Sequence, residues 1–206
     1  MESLGDIALL VSQCNDCALH LGRTNTVPGE GYHSAEIMLI GEGPGAREDQ
    51  EGRPFVGPAG QFLEQLLSSI GLGRSDVFIA NMVKCRPPNN RDPFPEELQA
   101  CSKYLDKQIE LVNPLLIVTL GRFSLSRFFP GETIGMARGK LREYKGRNIL
   151  PIMHPAAALY RPDNKVAIMN DFGLIPAMLS TLGQASGKTT APTINEVLPP
   201  EQLTLF

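Results

Sequence analysis

The sequence predicts an α/β fold: a parallel sheet covered on both faces by helices, in three layers α, β, α. Three observations carry that reading. Short apolar runs of strand length alternate along the chain with stripes at helical spacing, which is the signature of βαβ units. The run Leu115-Leu-Ile-Val-Thr-Leu120 is apolar almost throughout rather than alternating, as expected of a strand covered on both sides. The residues with evident chemistry, Glu42, Asn81, Gly121 and His154, fall just past the carboxyl ends of the strands, where open α/β sheets bind ligands.

The elements follow in order. Leu4, Ile7, Ala8 and Val11 recur at helical spacing and predict a short helix before Cys14. Residues 35 to 41, with the run Ile37-Met-Leu-Ile40, read as the first strand. Phe62, Leu63, Leu66, Leu67 and Ile70 stripe a helix closed by Gly71 and Gly73. Val77 to Asn81 is the second strand. Pro93 and Pro95 introduce a helix with Leu98, Cys101, Leu105, Ile109 and Val112 on one face. The third strand, 115–120, leads at Gly121 into a helix from about Arg122 to Phe129. Residues 147 to 153 form the last strand and 163 to 180 the last helix. Past Thr181 the pattern stops. The Gly183–Thr193 stretch has too little apolar surface to pack. The expected organisation is one domain over residues 1–180 and a flexible tail over 181–206, with no internal repeats.

Bulk composition fits this. The 206 residues suffice for one domain with a full core. Hydrophobic content of 42% and charged content of 20% are ordinary for a globular protein. No apolar run approaches the ~20 residues of a membrane span, and the amino terminus lacks the basic start and apolar core of a signal peptide. The expectation is a cytoplasmic protein with no membrane association. The net charge of −3 hides an asymmetry. Between Arg122 and Arg161 lie eight basic residues and two acids, a local excess of +6 on a chain that is otherwise −9. A basic face of that kind can collect phosphates; the plainer reading is a solvated surface.

Two features carry specific chemistry. Between Gly41 and Gly60 the chain places three glycines in five residues directly after a strand, then a single Phe55 between Pro54 and Val56. Glycines allow a backbone to come close to a ligand, and a lone aromatic in such a loop can serve as a stacking plate. The pattern is neither Gly-x-Gly-x-x-Gly nor a Walker phosphate cradle, and by itself it equally describes a tight strand-to-loop turn. The four cysteines form one set: Cys14-x2-Cys17, then Cys85, then Cys101. A cytoplasmic chain does not hold them as disulfides. Four thiolates can bind zinc or a [4Fe–4S] cluster, and spacing alone leaves both open.

Taken together, Gly41–Gly60, Asn81-Met-Val-Lys-Cys-Arg-Pro-Pro, His154-Pro-Ala-Ala-Ala-Leu-Tyr-Arg-Pro162 and the four cysteines resemble the motifs of the family 4 uracil-DNA glycosylases, the iron–sulfur type. The resemblance spans about residues 10 to 180 and agrees in motif order and spacing. It implies a uracil-DNA glycosylase-like fold whose loop region is stapled by a [4Fe–4S] cluster on Cys14, Cys17, Cys85 and Cys101. The implied substrate is uracil-containing DNA, single- or double-stranded, and the implied state a monomer. A glycosylase flips its target base into a pocket and reads the Watson–Crick edge. On that pattern Phe55 stacks on the uracil, Asn81 pairs with N3–H and O4, Glu48 blocks the space beside C5, and backbone amides from Gly41 and Gly43 help to hold the base. His154 donates to O2 as charge builds on the departing ring. Glu42, Asn81 and His154 form the catalytic set. The best-known uracil glycosylases carry Gly-Gln-Asp-Pro-Tyr-His in the first motif. Here Gly43 stands at the Asp position and Glu42 at the Gln position, so the water-activating group is open and Glu42 is the candidate. Leu159 or Tyr160 would wedge into the duplex, and Arg161 would hold a phosphate.

Two competing readings are a non-catalytic iron–sulfur DNA-binding module and a covalent uracil-trapping relative. The latter carries an inserted Lys-Arg-Arg-Ile-His loop that Lys84–Pro93 lacks. Finally, Gln202-Leu203-Thr204-Leu205-Phe206 resembles the peptide by which bacterial proteins dock on the replicative sliding clamp. Gln202, Leu203, Leu205 and Phe206 would be the anchors.

Overall fold

A computed structural model describes residues 3–186. The expected tail over 181–206 therefore lies largely outside the described residues, as does the whole 202–206 peptide.

The centre is a six-stranded sheet in the order β1-β3-β2-β4-β6-β5. Its strands are β1 (Glu30–Gly31), β2 (Ile37–Gly41), β3 (Phe78–Asn81), β4 (Leu116–Leu120), β5 (Arg142–Tyr144) and β6 (Arg147–Ile152). The four inner strands are parallel; β1 and β5 close the edges antiparallel. The predicted strands are the inner four. Both edges escape sequence reading because two or three half-polar residues carry no period. Every residue of β2, β3 and β4 is buried, which explains why their runs do not alternate.

The sheet reverses direction at β2. The chain steps from β2 to β3 on one side, then crosses over β2 to β4 and on to β6 on the other. Right-handed crossovers then put the helix of the first step on one face and the helices of the steps made in the other direction on the opposite face. On one face, α3 (Pro58–Ser69), α8 (Pro162–Phe172) and α9 (Ile175–Ser186) pack Leu63, Leu66, Ile168, Phe172 and Ile175 against Ile37, Leu39 and Val118. On the other, α4 (Pro95–Val112) and α5 (Arg122–Phe128) pack Leu105, Ile109 and Phe128 against Met38, Ile40 and Ile117. The odd and even residues of β2 thus serve two different cores, as a period of two requires. A third, smaller core joins α1 (Leu4–Ser12) to α4 around Ile7, Val11, Val83 and Tyr104.

Four short helical segments or breaks depart from the expected layout. A six-residue helix α2 (Ala46–Glu51) interrupts the Gly41–Gly60 stretch. It is entirely polar after Ala46, so no apolar stripe marks it. One-turn helices α6 (Ile134–Ala137) and α7 (Ala157–Tyr160) are too short to show a period. The last predicted helix is two helices, split at Gly173, and the second runs to Ser186 rather than ending at 180. By length and composition alone, Pro162–Gln184 is apolar enough to cross a membrane. Of its apolar residues, Ile168, Phe172 and Ile175 are buried in the core against the sheet, while Val166, Met169 and Leu174 are exposed.

Candidate active site and cysteine cage

The reversal at β2 opens a crevice at the carboxyl ends of the strands, and the chain lines it with residues from three motifs. The cavity there has a volume of about 510 Å³ and is walled by Glu42, Gly43, Glu48, Phe55, Asn81 and His154, with Leu159 and Tyr160 at its rim. Strand register alone brings two of the motifs together, because Gly41 of β2 pairs with Asn81 of β3. The fit is tight: a Cβ on Gly41 would stand 2.4 Å from Asn81 Oδ1 and 2.7 Å from Phe55 Cζ. Only glycine lets both side chains reach the cavity wall.

Asn81 is 2% exposed, and its Oδ1 has no hydrogen-bond partner among the described residues. A buried carboxamide oxygen without a donor costs about 1–3 kcal/mol. That expense is understandable at a site built to accept an N–H from a ligand.

Phe55 adopts φ +53°, an uncommon left-handed conformation for an aromatic residue. Its neighbours enforce it from two sides. Arg74 donates to the carbonyls of Phe55 (2.8 Å) and Pro54 (2.5 Å) and is itself anchored on Glu30. The Glu48 carboxylate accepts the amides of Val56 (3.0 Å) and Gly57 (2.9 Å). Gly60 completes the sling, since a Cβ there would collide with Phe55 O at 1.8 Å. Sequence reading assigned Glu48 to the space beside C5. The structure gives its carboxylate a positional task at the Phe55 loop while keeping it on the cavity wall. Arg74 and Glu30 were not foreseen, because their contacts span up to 44 residues and leave no local pattern.

His154 follows β6 and stacks on Phe55, with ring centroids 5.5 Å apart and planes 26° apart. Its Nδ1 accepts the backbone amide of Ala156 at 3.2 Å, and an atom that accepts an N–H does not carry a proton. The neutral ring therefore holds its hydrogen on Nε2. Surrounding protein drives its pKa down to about 4 by desolvation, against a smaller opposing pull from Glu48, so the neutral donor form is the one present near neutral pH. Gly121, at φ +94°, makes room for this residue: a Cβ there would meet His154 Cβ at 3.1 Å. Glu42 is partly buried, and its carboxyl is pushed above the usual range by desolvation and by Asp92, with Arg122 pulling the other way.

At the rim, Leu159 and Tyr160 are 51% and 84% exposed. Arg161 is the residue that precedes α8 and lies outside the cavity lining. Four of the eight basic residues of the run between Arg122 and Arg161 are paired with carboxylates. Arg122, Arg127, Arg138 and Arg142 pair with Asp92, Asp106, Asp171 and Glu132. Lys145 and Arg147 lie at the amino end of β6, roughly 16 Å of strand away from the crevice.

The four cysteines arrive from three places: Cys14 and Cys17 after α1, Cys85 from the loop after β3, and Cys101 from α4. All four line one small cavity. Among the described residues no three His, Cys, Asp or Glu side chains converge on one metal-ion position. Hydrogen-bond donors face the sulfurs: Arg23 Nη1 lies 3.3 Å from Cys85 Sγ, and the Lys84 amide 3.2 Å from Cys101 Sγ.

Comparison with known proteins agrees with this architecture. Residues 28–173 match the family model described as the uracil DNA glycosylase superfamily. The type-4 uracil-DNA glycosylase of Sulfurisphaera tokodaii is 51% identical over 191 residues, covering 88% of this chain and 87% of that protein. The type-4 enzyme of Archaeoglobus fulgidus is 44% identical over 207 residues, covering 96% of this chain and all of that protein. That of Saccharolobus solfataricus is 50% identical over 191 residues, 88% of each. A crevice walled by a buried carboxamide, an aromatic ring and a neutral histidine thus occurs in a chain that belongs to the uracil-DNA glycosylase superfamily, among its type-4 members.

Proposed function

We infer that this protein removes uracil from DNA by hydrolysing the N-glycosidic bond and leaves an abasic site. The observation that carries the reading is Asn81, a buried carboxamide on the wall of the crevice beside Phe55 and His154, whose Oδ1 has no partner among the described residues. Uracil presents N3–H and O4 side by side, which matches the acceptor and donor of one carboxamide. A flipped uracil stacks on Phe55 with this edge on Asn81. Glu48, held against the loop amides, stands where a C5 methyl would intrude.

As the bond between N1 and C1′ breaks, its electron pair stays with the base and positive charge grows on the sugar. His154 Nε2–H donates to O2, where the uracil anion concentrates charge, and backbone amides of the Gly41–Gly45 turn contribute further. Electrostatic help of this kind is usually the largest protein contribution. Water adds its oxygen to C1′ and gives up a proton, and the uracil anion takes one up. Glu42, whose carboxyl is raised by desolvation on the crevice wall, is the residue we assign to placing that water. Leu159 or Tyr160 enters the vacated stack, and Arg161 steadies a backbone phosphate.

The cysteine cage fits a [4Fe–4S] cluster. Four sulfurs spread round a cavity suit a group wider than one ion, and the donors from Arg23 and the Lys84 amide suit thiolate ligands. Bound there, the cluster would tie three chain segments into one unit without entering the reaction. Incubation with a uracil-containing oligonucleotide tests the function: alkali-labile sites confined to uracil positions support it, and an intact strand refutes it.

The carboxyl-terminal peptide Gln202–Phe206 supports a further part of the reading, recruitment to a sliding clamp, on sequence alone. Removing the pentapeptide should abolish clamp capture while oligonucleotide excision stays intact; equal clamp affinity without it would end that reading.

A further inference from the structure

Lys84 is a lysine with 1% exposure in the interior of a small protein, and no step above uses it. Its surroundings explain what it does. Antiparallel register pairs Glu30 with Ile79 and Gly31 with Phe78, so two further steps along the same ladder would set Pro28 opposite Asn81. Proline has no N–H to donate. The rung that should satisfy the Asn81 carbonyl is therefore missing, at the residue whose side chain must be aimed into the crevice. Lys84 fills the gap: its Nζ donates to Asn81 O at 2.9 Å and to Gln108 Oε1 at 2.6 Å. Gln108, 2% exposed on α4, donates from Nε2 to Pro28 O at 2.7 Å. Two side chains thus rebuild both halves of the lost rung. The Lys84 backbone is held in turn, since its carbonyl accepts the Val27 amide at 2.8 Å and its amide donates to Cys101 Sγ.

We propose that Lys84 and Gln108 form a buried clamp that positions Asn81 for reading the base, acting through the Asn81 carbonyl rather than on the substrate. The peptide plane that Lys84 grips also carries the Met82 amide, which donates to Gly41 O at 3.0 Å. Releasing the clamp lets the end of β3 rotate against Gly41 and swings the carboxamide off the crevice wall. Because Lys84 is bonded to Cys101 through its own amide, the same clamp links the cysteine cage to the crevice. The inference rests on the assignment of Asn81 as the reader of the base.

A double-mutant cycle on the holoprotein tests it, with single-turnover excision from a uracil oligonucleotide as the readout and melting temperature and iron content measured alongside. Lys84→Met, which keeps the stem and removes the donors, should slow excision by about ten-fold or more. In an Asn81→Ala background the same change should cost less than about two-fold, because residues that act as a unit do not add. Gln108→Leu should repeat the pattern, and it carries the cycle if Lys84→Met does not fold. Gln108→Glu keeps an acceptor for Lys84 and should stay nearer the wild-type rate than Gln108→Leu. Equal losses in both backgrounds would reduce Lys84 to a fold-holding residue and overturn the proposal. So would wild-type rates in both Lys84→Met and Gln108→Leu. Wild-type excision by Asn81→Ala alone is a separate result, and it would remove the reading of Asn81 itself.

Discussion

Replacing His154 by alanine isolates the contribution of one neutral donor. The ring hydrogen sits on Nε2 because Nδ1 is committed to the Ala156 amide, and burial keeps the ring uncharged. A preorganised donor aimed at a developing anion in a water-poor site contributes ~10²–10³ in rate, or about 3–4 kcal/mol. Alanine also leaves the Ala156 amide without its acceptor, a stability loss on the order of 1 kcal/mol. The expected result is a single-turnover excision rate down by ~10²–10³, with DNA binding nearly unchanged, measured with excess enzyme on a uracil oligonucleotide. Stability supplies an independent check with a definite sign. The folded pKa is depressed, so between about 6.5 and about 4 the unfolded chain takes up a proton here that the folded chain refuses. Stability contributed by the neutral ring is therefore complete above pH 6.5 and is lost as pH falls toward 4, and His154→Ala should flatten that part of the curve. Wild-type excision in the variant would remove His154 from the mechanism. An unchanged pH slope would refute the neutral, buried ring.

Other outcomes follow from the same geometry. Asn81→Asp should weaken uracil excision, since a carboxylate cannot donate to O4, and it should gain weak release of cytosine, whose amino group a carboxylate can accept; competing-base assays read both. Gly60→Ala puts a methyl 1.8 Å from Phe55 O. It should push the stacking ring out of place, slow excision at least about ten-fold and cost ~1–3 kcal/mol in a denaturant melt. Purified protein should be brown with about four irons per chain; a colourless protein with one zinc per chain would reassign the cage.

Much of this was legible in the sequence because it depends on local pattern. The four inner strands announced themselves as apolar runs, and their ends located Glu42, Asn81 and His154. The four cysteines were visible as a set, and the structure gathers them round one cavity. What stayed hidden depends on contacts made only after folding. Arg74 grips the Phe55 loop from nineteen and twenty residues away, and Gln108 reaches Pro28 across eighty. The helix Ala46–Glu51 has no apolar stripe to betray it. The pairing of the basic run was hidden for a related reason. Charge counting cannot see that Arg122, Arg127 and Arg138 are each met by a carboxylate from outside the run, or that Arg142 takes Glu132 from within it.

The central claim is hydrolysis at a uracil nucleotide, and product analysis of a single turnover addresses it most directly. Holoprotein in excess over a uracil-containing oligonucleotide should yield one free uracil per site, an unbroken strand with an abasic sugar, and protein of unchanged mass. Uracil strand bound to the protein at its full combined mass, or no free base while the strand is retained, would contradict the account.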